Sequence, residues 1–275
     1  MRSGTRLLVL AVVVSTSVWA QAPSASGTAG GRASLQAAQL LLRSAREHIG
    51  GEARLRRVQT LVLRGKARIK NWGSGPGDLL SSVELRVKLP DQYLRIDTDG
   101  RFIRRTGFTG GTPINQIRVL VGAGQASSSP GDLIAERAEC ARLLLGLLAD
   151  TRVVLSLRPS ADEESGNNSI RLLGRDNFSA WLDFAPQTQM PLRVRYQEMT
   201  VAPGGSAKST PTSGRSVMMP TLRLAEVTET FGDRRETSGL WLPYRITRSA
   251  SGIVVEDMVV DTIIVNPRLG PTDFK

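Results

Sequence analysis

A single histidine and a single cysteine in 275 residues narrow the chemistry open to this chain. His48 falls near the end of a predicted helix, among arginines, and has no second histidine or cysteine cluster with which to share a metal ion. A helix-capping or surface role is expected for it. Any serine triad would need the same histidine as its base, and no Gly-x-Ser-x-Gly elbow accompanies it. Gly204 to Ser209 has the composition of a phosphate loop without its Gly-Lys-Ser/Thr spacing, and reads as linker. Carboxylates occur at Asp97 and Asp99, at 162–164, at Glu226 and Glu229, and at Asp257 and Asp261. Asp97 and Asp99 flank a turn that ends at Gly100, where aspartate is favoured. The others are placed to pair with arginines on a wet sheet face, and no spacing marks an acid–base pair. Cys140 sits mid-helix without a disulfide partner, as a small helical residue rather than a reactive thiol. The sequence therefore predicts no enzyme, no metal site and no cofactor.

Charge points outward rather than to a nucleic acid. The formal net charge is +11, and among the 36 basic residues only Lys66, Lys70, Lys88, Lys208 and Lys275 are lysines. The arginines are spread over every strand on its polar phase, and aromatics are only 5% of the chain, so a solvated outer face is expected instead of a nucleic-acid patch. Attraction to anionic headgroups, at about 1 kcal/mol per basic group, remains open. Residues 1–20 read as an export signal: Arg2 and Arg6, an apolar core from Leu7 to Val14, and the small-x-small site Val18-Trp19-Ala20. The expected product is a soluble periplasmic protein cleaved near Ala20, because the apolar run is shorter than the ~20 residues of a membrane span.

The elements that must position any site are mostly strands. Residues 21–33 read as a flexible leader and 34–275 as a single domain. In that domain Ser34 caps a helix with Leu35, Ala38, Leu42, Ala45 and Ile49 on one stripe and Arg43, Arg46 and Glu47 facing away, ended by Gly50-Gly51. Period-two alternation follows at Thr60 to Ile69, Ser82 to Leu89, Gln92 to Asp97 and Arg101 to Phe108, while Gly110 to Val121 is ambiguous between loop and strand. A second helix is expected from Ser129-Pro130-Gly131-Asp132 to about Ala149, with a wide apolar face that suits a plug in a concave sheet. Further strands are expected at 152–157, 170–173, 180–184 and 192–199, then a Gly/Ser/Pro/Thr-rich insert at 201–220. Three long strands close the chain, at Leu222 to Phe231, Leu240 to Arg248 and Ile253 to Val265, with 232–239 as a charged turn. The fold class is mostly β: an unclosed antiparallel barrel or strongly curved sheet of about eleven strands, with two helices on its concave side.

The export signal, the helix ending Ile49-Gly50-Gly51, the basic first strand and the lid-like second helix form one pattern with three motifs. These are Asp183-Phe-Ala-Pro-Gln-Thr-Gln-Met-Pro-Leu-Arg-Val-Arg-Tyr196, Gly239-Leu-Trp-Leu-Pro-Tyr-Arg-Ile246 and Asn266-Pro267. Together they resemble the LolA-like superfamily of outer-membrane lipoprotein-sorting proteins over most of the mature chain. The resemblance implies an unclosed barrel whose helix-covered hollow shelters acyl chains of a lipid or lipoprotein, with a buried arginine holding the lid; no arginine is singled out for that role. On this reading the lining comes from Leu63 on the first strand, Val83, Leu85 and Val87 on the second, and Leu94 and Ile96 on the third. Leu182, Phe184 and Val194 follow, then Leu224, Leu242, Tyr244 and Ile246, with Leu144 and Leu148 as lid. The implied partners are acyl chains and envelope membrane proteins. The alternative is an interaction or sensing module on the same fold without lipid transfer.

Overall fold

Strands that alternate apolar and charged residues must pair, and this chain pairs them in two meanders that meet. A computed structural model describes residues 26–70, 78–121, 127–128, 131–151, 157–159, 168–201 and 222–275. The signal at 1–20, Ser129-Pro130, most of the strand expected at 152–157 and nearly all of the insert at 201–220 lie outside these residues. Helix α1 (Ser26–Ile49) and a single turn, α2 (Glu52–Leu55), precede five strands: β1 (Thr60–Ile69), β2 (Leu79–Lys88), β3 (Gln92–Thr98), β4 (Phe102–Thr109) and β5 (Thr112–Val119). The two-residue β6 (Ser127–Ser128) leads to helix α3 (Leu133–Leu148) and the equally short β7 (Arg158–Pro159). Then come β8 (Ser169–Leu173), β9 (Ser179–Phe184), β10 (Pro191–Val201), β11 (Leu222–Thr237), β12 (Leu240–Ala250), β13 (Ile253–Val265) and a closing 3-10 turn, Pro271–Phe274.

The thirteen strands among the described residues form one unclosed antiparallel sheet in the order β6-β5-β4-β3-β2-β1-β13-β12-β11-β10-β9-β8-β7. Each strand neighbours its predecessor in sequence except β7, which lies at the opposite edge from β6; the two meanders meet where β1 pairs with β13, from Leu61 opposite Val265 to Ile69 opposite Glu256. That order fixes the place of α3. It connects β6 to β7, the two outer edges, so its segment must cross the sheet, and it does so over the concave face. The segment expected to be ambiguous is strand β5, and the expected charged turn after Phe231 is strand up to Thr237. The chain reverses only at Ser238-Gly239 and again at Ser251-Gly252, each pair with the two positive φ angles of a type I′ hairpin.

The helices differ from expectation at their starts. α1 begins at Ser26, so part of the expected leader is helical and Ser34 is interior. It ends as expected at Gly50-Gly51, where Gly51 takes φ +88°. α3 is capped by Asp132, whose carboxylate accepts from the amides of Ile134 (2.9 Å) and Ala135 (3.1 Å). The seam is stapled by Asn266: its Oδ1 accepts from the Gln59 amide (2.8 Å) and its Nδ2 donates to the Arg57 carbonyl (3.0 Å). No helix among the described residues is long and apolar enough to cross a membrane.

Candidate functional site

The concave face is apolar because one phase of nearly every strand is apolar. Leu63, Val83, Leu85, Val87, Leu182, Phe184, Val194 and Leu242 are all buried in one cluster, and Tyr244 and Ile246 pack against it half-buried. Into this face α3 presses its C-terminal half, burying Leu143, Leu144, Leu145, Leu147 and Leu148. Leu144 and Leu148, the expected lid residues, are both fully buried there. Gly146 lets the helix come close: a Cβ there would lie 2.0 Å from Cζ of Phe231 on β11. At roughly 2 kcal/mol for each fully buried leucine, this half of the helix is held mainly by burial.

The N-terminal half of α3 is held by charge. Glu136, Glu139 and Arg142 recur at helical spacing and meet polar groups on the inner phase of the strands. Arg95 on β3 donates to Asp97 (2.9 Å) and to Glu256 on β13 (2.5 Å), and reaches Glu139 at 3.7 Å. The Tyr93 hydroxyl also donates to Glu139, at 2.9 Å. Burial alone would raise the Glu139 carboxyl, but Arg95, then Arg142 and Arg248, hold it below the usual carboxylate value. Arg142 lies 3.9 Å above the Tyr196 ring and 3.6 Å from Glu229 on β11, which also accepts from the Tyr196 hydroxyl at 2.8 Å. For Glu229 burial wins over Arg142 and Arg248, and its carboxyl is raised. Glu136 is pushed up to about 7, first by burial and then by Glu139.

Two arginines complete the grip at the helix C-terminus, where carbonyls lack intrahelical donors. Arg46 of α1 donates to the carbonyls of Leu148 (3.3 Å) and Ala149 (3.2 Å) while its Nε pairs with Glu52 at 2.5 Å. Arg234 of β11 donates to the carbonyls of Gly146 (3.0 Å) and Pro191 (2.6 Å), and burial lowers its guanidinium to about 10.

Several expected placements are overturned. Leu94 and Ile96 lie on the outer face, Leu94 buried with Ile114 and Phe274 and Ile96 against them, because β3 turns Tyr93, Arg95 and Asp97 inward. Leu224 is 64% exposed, since Ala225, Val227, Glu229 and Phe231 form the inner phase of β11. Arg46 faces in, not away, and Glu229 is a buried inner acid rather than a wet one. Asp99 does serve its turn, accepting from the amides of Arg101 and Phe102 (2.9 and 3.0 Å), whereas Asp97 belongs to the Arg95 network. His48 is exposed and bonded to the Ser44 carbonyl of its own helix, and Cys140 is buried with its thiol pushed up by burial. The expected hollow is instead filled, by the buried leucines of α3. Between helix and sheet the space is about 40 Å³, walled by Leu85, Leu143, Ile246 and Met258 and by the Arg95, Glu139 and Glu229 side chains. A cavity of ~150 Å³ is needed for benzene, so this one holds a few waters and no alkyl tail.

No protein-family model and no curated protein matches the sequence. Solved structures do match. A LolA superfamily protein from Nitrosomonas europaea has 14% identity and a TM-score of 0.47, covering 86% of this chain and 96% of its own. This chain is similar in fold to LolA superfamily proteins. A domain described as an outer membrane lipoprotein-sorting protein domain, from Vibrio parahaemolyticus, has 10% identity, a TM-score of 0.45 and coverage of 89% and 97%. A DUF1329 family protein from Desulfovibrio piger has 9% identity, a TM-score of 0.43 and coverage of 90% and 96%. Likenesses this distant concern shape, and the functional reading rests on the contacts above. Those contacts run through residues that binary patterning hides: Arg95, Glu229 and Arg46 are charged, and patterning assigns charge to the outer face. The available signal was the stripe Glu136, Glu139, Arg142 beside the leucine face of α3.

Proposed function

We propose that the protein carries acyl chains, of a lipid or a lipoprotein, through an aqueous envelope compartment, and that the Leu143–Leu148 half of α3 lifts from the concave face to admit them. The observation that supports this reading is the way α3 is held. Its cover is apolar, yet its register depends on Arg95, Glu139, Arg142 and Glu229, charges buried under the helix. Burying ion pairs gives a permanent core little, since well-packed apolar replacements are often as stable or more so. A cover that must leave and return to one register does benefit from them.

Magnitudes favour a long chain as cargo. Unseating the five leucines exposes on the order of 10 kcal/mol of burial, and each methylene that replaces them returns about 0.8 kcal/mol. Roughly twelve methylenes therefore balance the exchange, and short ligands fail to open the cover. The process is binding and release, with no bond made or broken. Native mass spectrometry of gently purified protein, followed by lipid extraction, tests it: co-purified acyl lipid is expected, and protein that stays empty after incubation with long-chain lipid contradicts it.

A further inference from the structure

Beside α3 the sheet splits. The ladder between β9 and β10 ends at the pair Arg195–Trp181, and next to it lies a second cavity of about 380 Å³. A space of this size is within the ~300–1,000 Å³ typical of small-molecule sites. Ile134, Ala138 and Phe178 give it an apolar side. Its polar side carries three arginines, Arg142, Arg171 and Arg175, against one acid, Asp176.

The arginines are set differently. Arg171 lies 5.1 Å over the Trp181 ring and its Nε donates to Ser179 Oγ at 3.3 Å. Arg142 is only 8% exposed, and its buried Nε has no hydrogen-bond acceptor, the nearest acid oxygen being Glu229 Oε1 at 3.6 Å. A buried guanidinium N–H without an acceptor is costly and calls for an oxygen. Guanidinium forks suit the paired oxygens of a phosphate better than any neutral group. An apolar wall beside three such forks suits an amphiphile with an anionic head.

We propose that this cavity binds the phosphate group of an amphiphile through Arg142, Arg171 and Arg175. The inference rests on α3 being a displaceable cover, since the phosphate would tie Arg142 on the helix to the sheet edge while the chain enters beneath the leucine half. Two ligands that differ only by the phosphate test it: 1-palmitoyl lysophosphatidic acid and 1-monopalmitoylglycerol, titrated calorimetrically below their aggregation limits, with inorganic phosphate as a third arm. The phosphorylated ligand is expected to bind at least tenfold more tightly. The double variant Arg171→Gln, Arg175→Gln, whose melting temperature serves as the folding control, is expected to abolish that advantage and leave monopalmitoylglycerol unchanged. Equal affinity for the two ligands, or a double variant that keeps the difference, overturns the phosphate site and leaves the carrier reading standing. Binding of inorganic phosphate that needs Arg171 and Arg175, with no binding of either amphiphile, supports the anion site and removes the cover. Binding of nothing at all overturns both.

Discussion

Replacing Gly146 by alanine should loosen the cover without harming the sheet beneath. A Cβ built at this position meets Cζ, Cε1 and Cε2 of Phe231 at 2.0, 2.2 and 2.2 Å. Carbon atoms rest at about 3.5–4.0 Å, so the helix and the ring must part by about 1.5 Å. Phe231 is 2% exposed and has no free side to which it can retreat. Overpacking of this kind costs about 1–3 kcal/mol, and more where a ring face must yield, against roughly 1 kcal/mol of helix propensity gained by losing glycine. A net ~2 kcal/mol against the seated helix corresponds to about a 30-fold shift of the lid equilibrium. Because ligand affinity scales with the fraction of molecules already competent, palmitoyl ligands should bind G146A about 30-fold more tightly than the parent. The double variant Gly146→Ala, Phe231→Ala should regain much of the lost seating, because the methyl then has room. Ligand affinity and the amide exchange of α3 are the two readouts. If G146A instead lowers the melting of the whole domain while affinity stays equal or falls, α3 is core and the reasoning is wrong.

Other perturbations separate the parts of the grip. Arg95→Met leaves Asp97, Glu256 and Glu139 without their shared cation and should cost about 3–5 kcal/mol in denaturant unfolding, with Arg95→Met, Glu256→Met recovering more than half of the loss. The Glu136 carboxyl, raised from 4.5 to about 7 by burial and by Glu139 and Asp132 against Arg104 and Arg95, keeps a proton in the seated state that the free helix gives up. Its contribution to seating is therefore complete below about pH 4.5 and is lost as pH rises through about 7. The protection factors of the α3 amides, corrected for intrinsic exchange, should accordingly fall between about pH 4.5 and pH 7, and Glu136→Gln should flatten that change. Asn266→Ala keeps φ +57° without an amide side chain and loses both bonds to the chain before β1. It should cost about 2–3 kcal/mol, a fall of roughly 5–10 °C in Tm, with no change in ligand preference.

The strands were legible because alternation is a local property. Val83, Leu85 and Val87 sit against Glu84, Arg86 and Lys88, and the pleat assigns their faces without outside help. β3 and β11 misled because both of their phases hold apolar residues. Leu94 and Ile96 form an outer patch only because Phe274, near the chain end, folds back to cover it. Leu224 competes with Ala225, Val227 and Phe231, and the true inner phase includes Glu229, whose burial depends on Arg142 from a different element. The leucine face of α3 could be read from its period. That Gly146 meets Phe231, or that Arg46 turns inward to two carbonyls of α3, is decided by tertiary packing between segments over eighty residues apart.

The central claim is that acyl chains take the place of the leucine half of α3. Hydrogen exchange of the Leu143–Leu148 amides, measured with and without saturating palmitoyl ligand, tests it most directly. The account predicts that these amides lose protection on binding while the strand amides of β1, β2 and β12 keep theirs. Ligand bound with α3 equally or better protected would contradict it.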